Sequence, residues 1–298
     1  MIQEEINRLK KAKNAVILAH YYQHADVQDI ADFVGDSLEL SKIAASVDAK
    51  IILFCGVDFM AQTAKILAPS KKVLLAVSTA TCPMANMITT EQLRAYKMDH
   101  PDRKVVCYVN STAGVKALSD VCVTSSNAEK IILRLKDEKL LYVPDQNLGN
   151  YLKDKYIIDM ECWPGYCCIH HQLTVEQVME ARRMHKDALV LIHPEAPLAV
   201  LKQADFVGST SQIIEFASTT SAKTYIIGTE KGILHPLQKK NPQKNFVLLT
   251  PSLSCFDMKL TRIEDVLSAL QKEDTEIFVP EDIAVLARKS LQTMMEWS

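Results

Sequence analysis

The sequence lacks the features by which nucleotide- and metal-binding chains most often declare themselves. Only eight glycines occur in 298 residues, and none falls as G-x-G. Neither the dinucleotide fingerprint nor the P-loop is therefore present, and nothing points to bound NAD or ATP. No C-x-x-C occurs among the eight cysteines, so the paired thiols common in structural zinc sites are missing. Charge of one sign is not in excess: the formal net charge is −2, with no basic stripe or acidic tail. That argues against a nucleic-acid or membrane-surface binder. No segment approaches the ~18 consecutive apolar residues of a membrane span. The opening "MIQEEINRLKKAKN" reads as a charged amphipathic helix without an apolar signal core, so the expected location is the cytoplasm.

A reducing compartment keeps thiols free, and most free cysteines behave as small buried hydrophobes. Cys55, Cys107 and Cys122, inside apolar runs, fit that description. The others call for a different account, above all "CWPGYCCIHHQ" (162–172), with three cysteines and two histidines in eleven positions.

Short β-branched runs alternate with helical patterns, which points to α/β units around parallel strands. The candidate strands are AVILAH, IILFCG and KVLLAV, then KVVCYVN, KLLYVPD and YIIDME, then ALVLIHP, TYIIGTE and NFVLLTP. These three sets of three show an internal repeat. Each opens on a strand ending in a polar residue: His20, Asn110 or His193. Each then shows a small hydroxyl-bearing cluster at an expected helix start: 35–37, 124–126 or 208–210. Each closes near a cysteine, and His20 to Cys82, Asn110 to Cys167 and His193 to Cys255 span 62, 57 and 62 residues. Self-similarity at this period means one supersecondary unit used three times. The expected fold class is α/β, with three homologous three-layer αβα domains and short parallel sheets around a pseudo-threefold axis. Their expected extents are residues 1–100, 101–186 and 187–298. The C-terminal helices, counted with the third, should pack back on the first.

Ligands of parallel α/β units lie beyond the carboxyl ends of the strands. Three such units around one axis would aim three loops and three thiols at one place. Soft thiolates favour iron–sulfur clusters, zinc or copper(I). Three of them leave one coordination position open for a substrate, and an open metal acts as a Lewis acid. Hydroxyls at helix starts suit an acid with several carboxylates or a phosphate. His20, Tyr22, Tyr108, His193 and Glu195 would stand nearby as proton donors and acceptors. Spacing alone leaves Cys167 and Cys168 as alternatives.

The stretches ILAHYYQ, IADFVGDSLEL, GVDFMAQTAKIL, ATCPMANM, YVNSTA, LIHPE, VGST and GTEKG, in that order, closely resemble the quinolinate synthase family. The resemblance runs from about Asn14 to Met258. It implies three homologous domains with a 4Fe–4S cluster at their junction. It also implies a condensation of iminoaspartate with dihydroxyacetone phosphate that releases phosphate and water to give quinolinate for NAD biosynthesis. On the family pattern G-x-C-x-x-H, matched by Gly165, Cys167 and His170, the cluster ligands would be Cys82, Cys167 and Cys255. Substrate would be held by His20, Ser37, Tyr108, Asn110, Ser125, His193, Glu195 and Thr210. Tyr22, Tyr108, His193 and Glu195 would move protons. The pathway further implies transient contact with an aspartate-oxidising enzyme. The chain departs from the family's usual Asn at Tyr21, Cys at Ala196 and Gly at Ser211. Two other readings stand beside this one. One is a zinc-containing α/β binding protein with a structural Cys3His site using His170, and the other a cysteine nucleophile, Cys167, activated by His170.

Overall fold

The computed structural model describes residues 2–298, and Met1 lies outside the described residues. The first sheet holds β1 (Ala15–His20), β2 (Phe33–Gly35), β3 (Ile51–Cys55) and β4 (Lys72–Leu75). The second holds β5 (Lys104–Tyr108), β6 (Val121–Val123), β7 (Leu140–Val143) and β8 (Met160–Cys162). The third holds β9 (Leu189–Ile192), β10 (Phe206–Val207), β11 (Thr224–Gly228) and β12 (Asn245–Leu248). The strand orders are β2-β1-β3-β4, β6-β5-β7-β8 and β10-β9-β11-β12, so one topology occurs three times. Every pairing is parallel. Helices flank the sheets, and the inner strands are almost wholly buried, which is why they read as apolar runs rather than alternating ones. The chain is thus α/β, built of three αβα units.

Each unit carries a fourth strand beyond the three visible in the sequence. These strands, β2, β6 and β10, are only three, three and two residues long. One device holds all three in place. Asp32 Oδ2 accepts from Ile17 N at 2.8 Å, Asp120 Oδ2 from Val105 N at 2.7 Å, and Asp205 Oδ2 from Val190 N at 2.7 Å. The backbone N–H of each aspartate returns a bond to the carbonyl of the same partner residue. Each carboxylate therefore satisfies an N–H at the start of an inner strand and sets the register of the short strand after it.

YIIDME does not form the expected strand as a whole. Tyr156 ends the helix Gln146–Tyr156, and Ile157 takes a left-handed conformation (φ 53°) at its C-cap, so pairing begins only at Met160.

After the third sheet the chain runs back over the other two. The helix Ile263–Lys272 lies against the helix Ile2–Lys13 and β3, and Glu281–Trp297 against Ala113–Ala117, β6 and the helix Asp58–Leu67. Between these two helices, Leu75 N donates to Thr275 O and Ile277 N to Val73 O, which covers the free edge of β4. Among the described residues no helix is long and apolar enough to cross a membrane.

Candidate active site

The carboxyl ends of β1, β5 and β9 bring His20, Asn110 and His193 to one end of the three sheets. The two histidines sit in matching turns. Tyr22 N donates to His20 Nδ1 at 3.1 Å, and Glu195 N donates to His193 Nδ1 at 3.3 Å. A ring nitrogen that accepts carries no proton, so each neutral imidazole keeps its proton on Nε2 and can offer it to a ligand. Burial pushes both histidines down to about 4, which keeps them uncharged at neutral pH. The strand register puts Tyr108, not the expected Asn110, at the matching place in the second unit: Tyr108 pairs with Val123 as His20 pairs with Gly35, and Asn110 matches Tyr22 and Glu195. Asn110 Oδ1 is buried without a hydrogen-bond partner among the described residues.

His20, Asn110 and His193 line a cavity between the units. The structure brings every residue expected at the site to its wall: His20, Tyr22 and Ser37; Tyr108, Asn110 and Ser125; His193, Glu195 and Thr210; and the thiols Cys82, Cys167 and Cys255. The hydroxyl residues arrive by helix starts and turns. Ser37 follows the N-cap Asp36, Thr210 follows the N-cap Ser209, and Ser125 lies in the turn before the helix Ala128–Arg134.

Cys82 precedes the short 3-10 turn Pro83–Asn86, Cys167 lies in the loop after β8, and Cys255 lies in the loop after β12. All are free thiols. Cys168 is exposed and does not line the cavity, so register and geometry agree on Cys167. Burial raises all three cavity thiols, Cys255 to about 11 and the others further. Their charges also oppose one another, Cys255 acting on Cys82 and Cys82 on Cys167. Thiolate forms at such a place only with a cation to neutralise it. Three soft donors, one from each unit, therefore fit an iron–sulfur cluster.

A second metal-like grouping shares the cavity. One ligand atom each from Cys167, His170 and Glu195 lie within 4.8 Å of one another. His170, however, is engaged at both nitrogens: Nδ1 lies 2.7 Å from Glu195 Oε2 and Nε2 2.9 Å from Thr229 Oγ1. Nδ1 also lies 3.3 Å from Cys167 Sγ, so the ring is held between the second and third units.

From there a chain of hydrogen bonds crosses all three units. Tyr108 donates to Glu195 Oε1 at 2.7 Å, and Thr229 Oγ1 lies 2.7 Å from the Tyr22 hydroxyl, to which Thr210 donates at 3.0 Å. Burial opposes ionisation of Glu195, but His193, His170 and Tyr108 outweigh it and hold the carboxyl below its ordinary range. Burial and the Glu195 charge do the reverse to Asp145, whose carboxyl lies well above its ordinary range. Burial first, and then the Glu195 charge, also raises the Tyr22 and Tyr108 phenols, which stay protonated.

Sequence reasoning missed several of these groups. His170 is legible as part of G-x-C-x-x-H, as a zinc ligand or as a base beside Cys167, with no hint that it bridges Glu195 to Thr229. Glu230 is legible only as part of GTEKG. Its Oε1 accepts from Cys255 N at 3.2 Å, its Oε2 accepts from Gly232 N at 2.7 Å, and Lys259 Nζ lies 3.1 Å away. Lys259 also donates to the carbonyl of Tyr22, so this buried ion pair ties the Cys255 loop to the first unit.

The sequence of the family described as quinolinate synthetase A protein matches residues 4–296. The quinolinate synthase of Alkaliphilus metalliredigens (strain QYMF) is 50% identical over 297 residues, covering 98% of this chain and 97% of the relative. That of Clostridium kluyveri (strain ATCC 8527) is 50% identical over 295 residues, covering 98% and 96%. That of Clostridium perfringens (strain SM101 / Type A) is 45% identical over 298 residues, covering 98% of each.

Proposed function

The chain belongs to the quinolinate synthetase A family, and on that premise we propose that it condenses iminoaspartate with dihydroxyacetone phosphate to form quinolinate for NAD biosynthesis. The observation that carries this reading is the meeting of three thiols from three units with the Glu195 network in one cavity. In it, Cys82, Cys167 and Cys255 hold a 4Fe–4S cluster. Bound so, the cluster supplies a Lewis acid at the iron that no protein thiol ligates, suited to the loss of a hydroxyl group.

The remaining chemistry belongs to the side chains. Two substrate carboxylates and a phosphate need donors. The Nε2–H groups of His20 and His193, the Asn110 amide and the Ser37, Ser125 and Thr210 hydroxyls provide them without placing a fixed cation there. Glu195, ionised and aimed by Tyr108 and His170, is the base that takes a proton from carbon as the triose enolises. Tyr22 and Tyr108, protonated and buried, return protons to departing oxygens. His193 acts beside them by donating from Nε2, which lies 3.3 Å from Ser125 Oγ.

The test is purification without oxygen, followed by metal analysis and assay with the two substrates. A brown protein with about four irons per chain that releases quinolinate supports the proposal. The second reading is a zinc protein with a structural Cys3His site, for which His170 Nδ1 stands 3.3 Å from Cys167 Sγ. Colourless protein with one zinc and no quinolinate would establish that instead.

A further inference from the structure

Each hydroxyl cluster divides its residues between two directions. Ser37, Ser125 and Thr210 face the cavity. Their neighbours Asp36, Ser126, Ser209 and Ser211 turn toward one another where the three units meet. Asp36 is the centre of this knot and is 4% exposed. Its Oδ1 caps its own helix, accepting from Leu38 N at 3.0 Å and Glu39 N at 3.1 Å. Its Oδ2 accepts from the Ser126 hydroxyl of the second unit at 2.5 Å and from the Ser211 hydroxyl of the third. Ser126 Oγ and Ser209 Oγ lie 2.9 Å apart, and Ser209 Oγ and Ser211 Oγ 3.2 Å. One carboxylate thus joins all three units beside the hydroxyls that face the ligand.

A carboxylate is an unexpected group to find on the wall of an anion site, since it repels a phosphate at short range. Four donors occupy its oxygens here, which is close to all a carboxylate can accept. Two of them, the Ser126 and Ser211 hydroxyls, come from the other units and engage Oδ2. We propose that Asp36, Ser126, Ser209 and Ser211 form a positioning device for the substrate phosphate: the knot sets the spacing of the three hydroxyl-bearing turns, and the Ser126 and Ser211 hydroxyls keep the Asp36 charge from opposing the anion. This rests on the proposed function and, among the donors named there, assigns the Ser37, Ser125 and Thr210 hydroxyls to the phosphate.

The test uses the cluster-loaded protein kept from oxygen. The binding of inorganic phosphate is measured by calorimetry, and KM for dihydroxyacetone phosphate and kcat by assay. Removing both hydroxyls (S126A with S211A) should weaken phosphate binding and raise that KM by about tenfold, with kcat within about twofold. Adding D36N should restore most of the affinity, because asparagine still caps the helix but carries no charge. Unchanged phosphate binding in S126A with S211A would overturn the proposal. So would failure of D36N to rescue, or kcat and KM changing together with a lowered melting temperature. Should the double variant fail to fold, S211G alone reads the same effect in the same direction. Calorimetry does not depend on turnover. A protein that makes no quinolinate yet loses phosphate in S126A with S211A would refute the proposed reaction and leave this inference standing.

Discussion

His20 and His193 are held neutral in the fold, and acid exposes what that costs. Their folded-state pKa is about 4, against 6.5 when unperturbed. Between those values the unfolded chain takes up protons that the folded chain does not, so stability is present above about pH 6.5 and drains away as pH falls toward about 4. Asparagine keeps a polar side chain there but takes up no proton in this range. His20→Asn should lose less melting temperature than the parent protein between about pH 7 and about pH 5 by calorimetry. An equal loss would show that His20 is not part of the acid sensitivity. Among the sulfurs the contrast is also local. Cys168→Ser should keep iron and Cys167→Ser should lose it, read by metal analysis, because only Cys167 faces the cavity. The reverse result would move the ligand by one position.

At the scale of elements, Gly165 governs how the Cys167 loop sits. A Cβ there would stand 2.5 Å from Pro144 O, and Gly165 O accepts from Gln146 N at 2.8 Å. Gly165→Ala should therefore displace the loop and lower the iron content while far-ultraviolet dichroism stays unchanged; full iron loading would contradict this. The aspartate clamps carry stability instead. Asp120→Ala leaves Val105 N without its carboxylate and should cost about 1–3 kcal/mol in denaturant unfolding. The inner strands were legible because burial on both faces writes them as apolar runs. The edge strands β2, β6 and β10 were not, since two or three residues are too few for any periodicity to register. The clamps recur at a constant spacing of 15 residues from Ile17, Val105 and Val190, yet a lone aspartate in a loop has no local meaning until the strands pair. For the same reason the phased cysteines, histidines and hydroxyls could be read from the chain. The partners of His170, Thr229, Glu230 and Lys259 could not, because they lie far along the chain or in other units and only folding brings them together.

Across the whole molecule, repetition supplies the geometry and divergence supplies the chemistry. One topology used three times aims equivalent loops at a shared centre. Substitution at equivalent positions then makes that centre asymmetric: His20, Tyr108 and His193 hold one position of the three units, and Tyr22, Asn110 and Glu195 another. No unit holds a complete site, since the chain from Tyr108 through Glu195, His170 and Thr229 to Tyr22 passes through all three. The account turns on three sulfurs gripping one cluster and leaving one iron open. Mössbauer spectroscopy of anaerobically reconstituted protein, before and after addition of quinolinate, tests this most directly. The predicted spectrum shows one iron in about four shifting when the ligand is added, with the rest unmoved. A spectrum of equivalent irons indifferent to the ligand, or protein that takes up no iron, would contradict it.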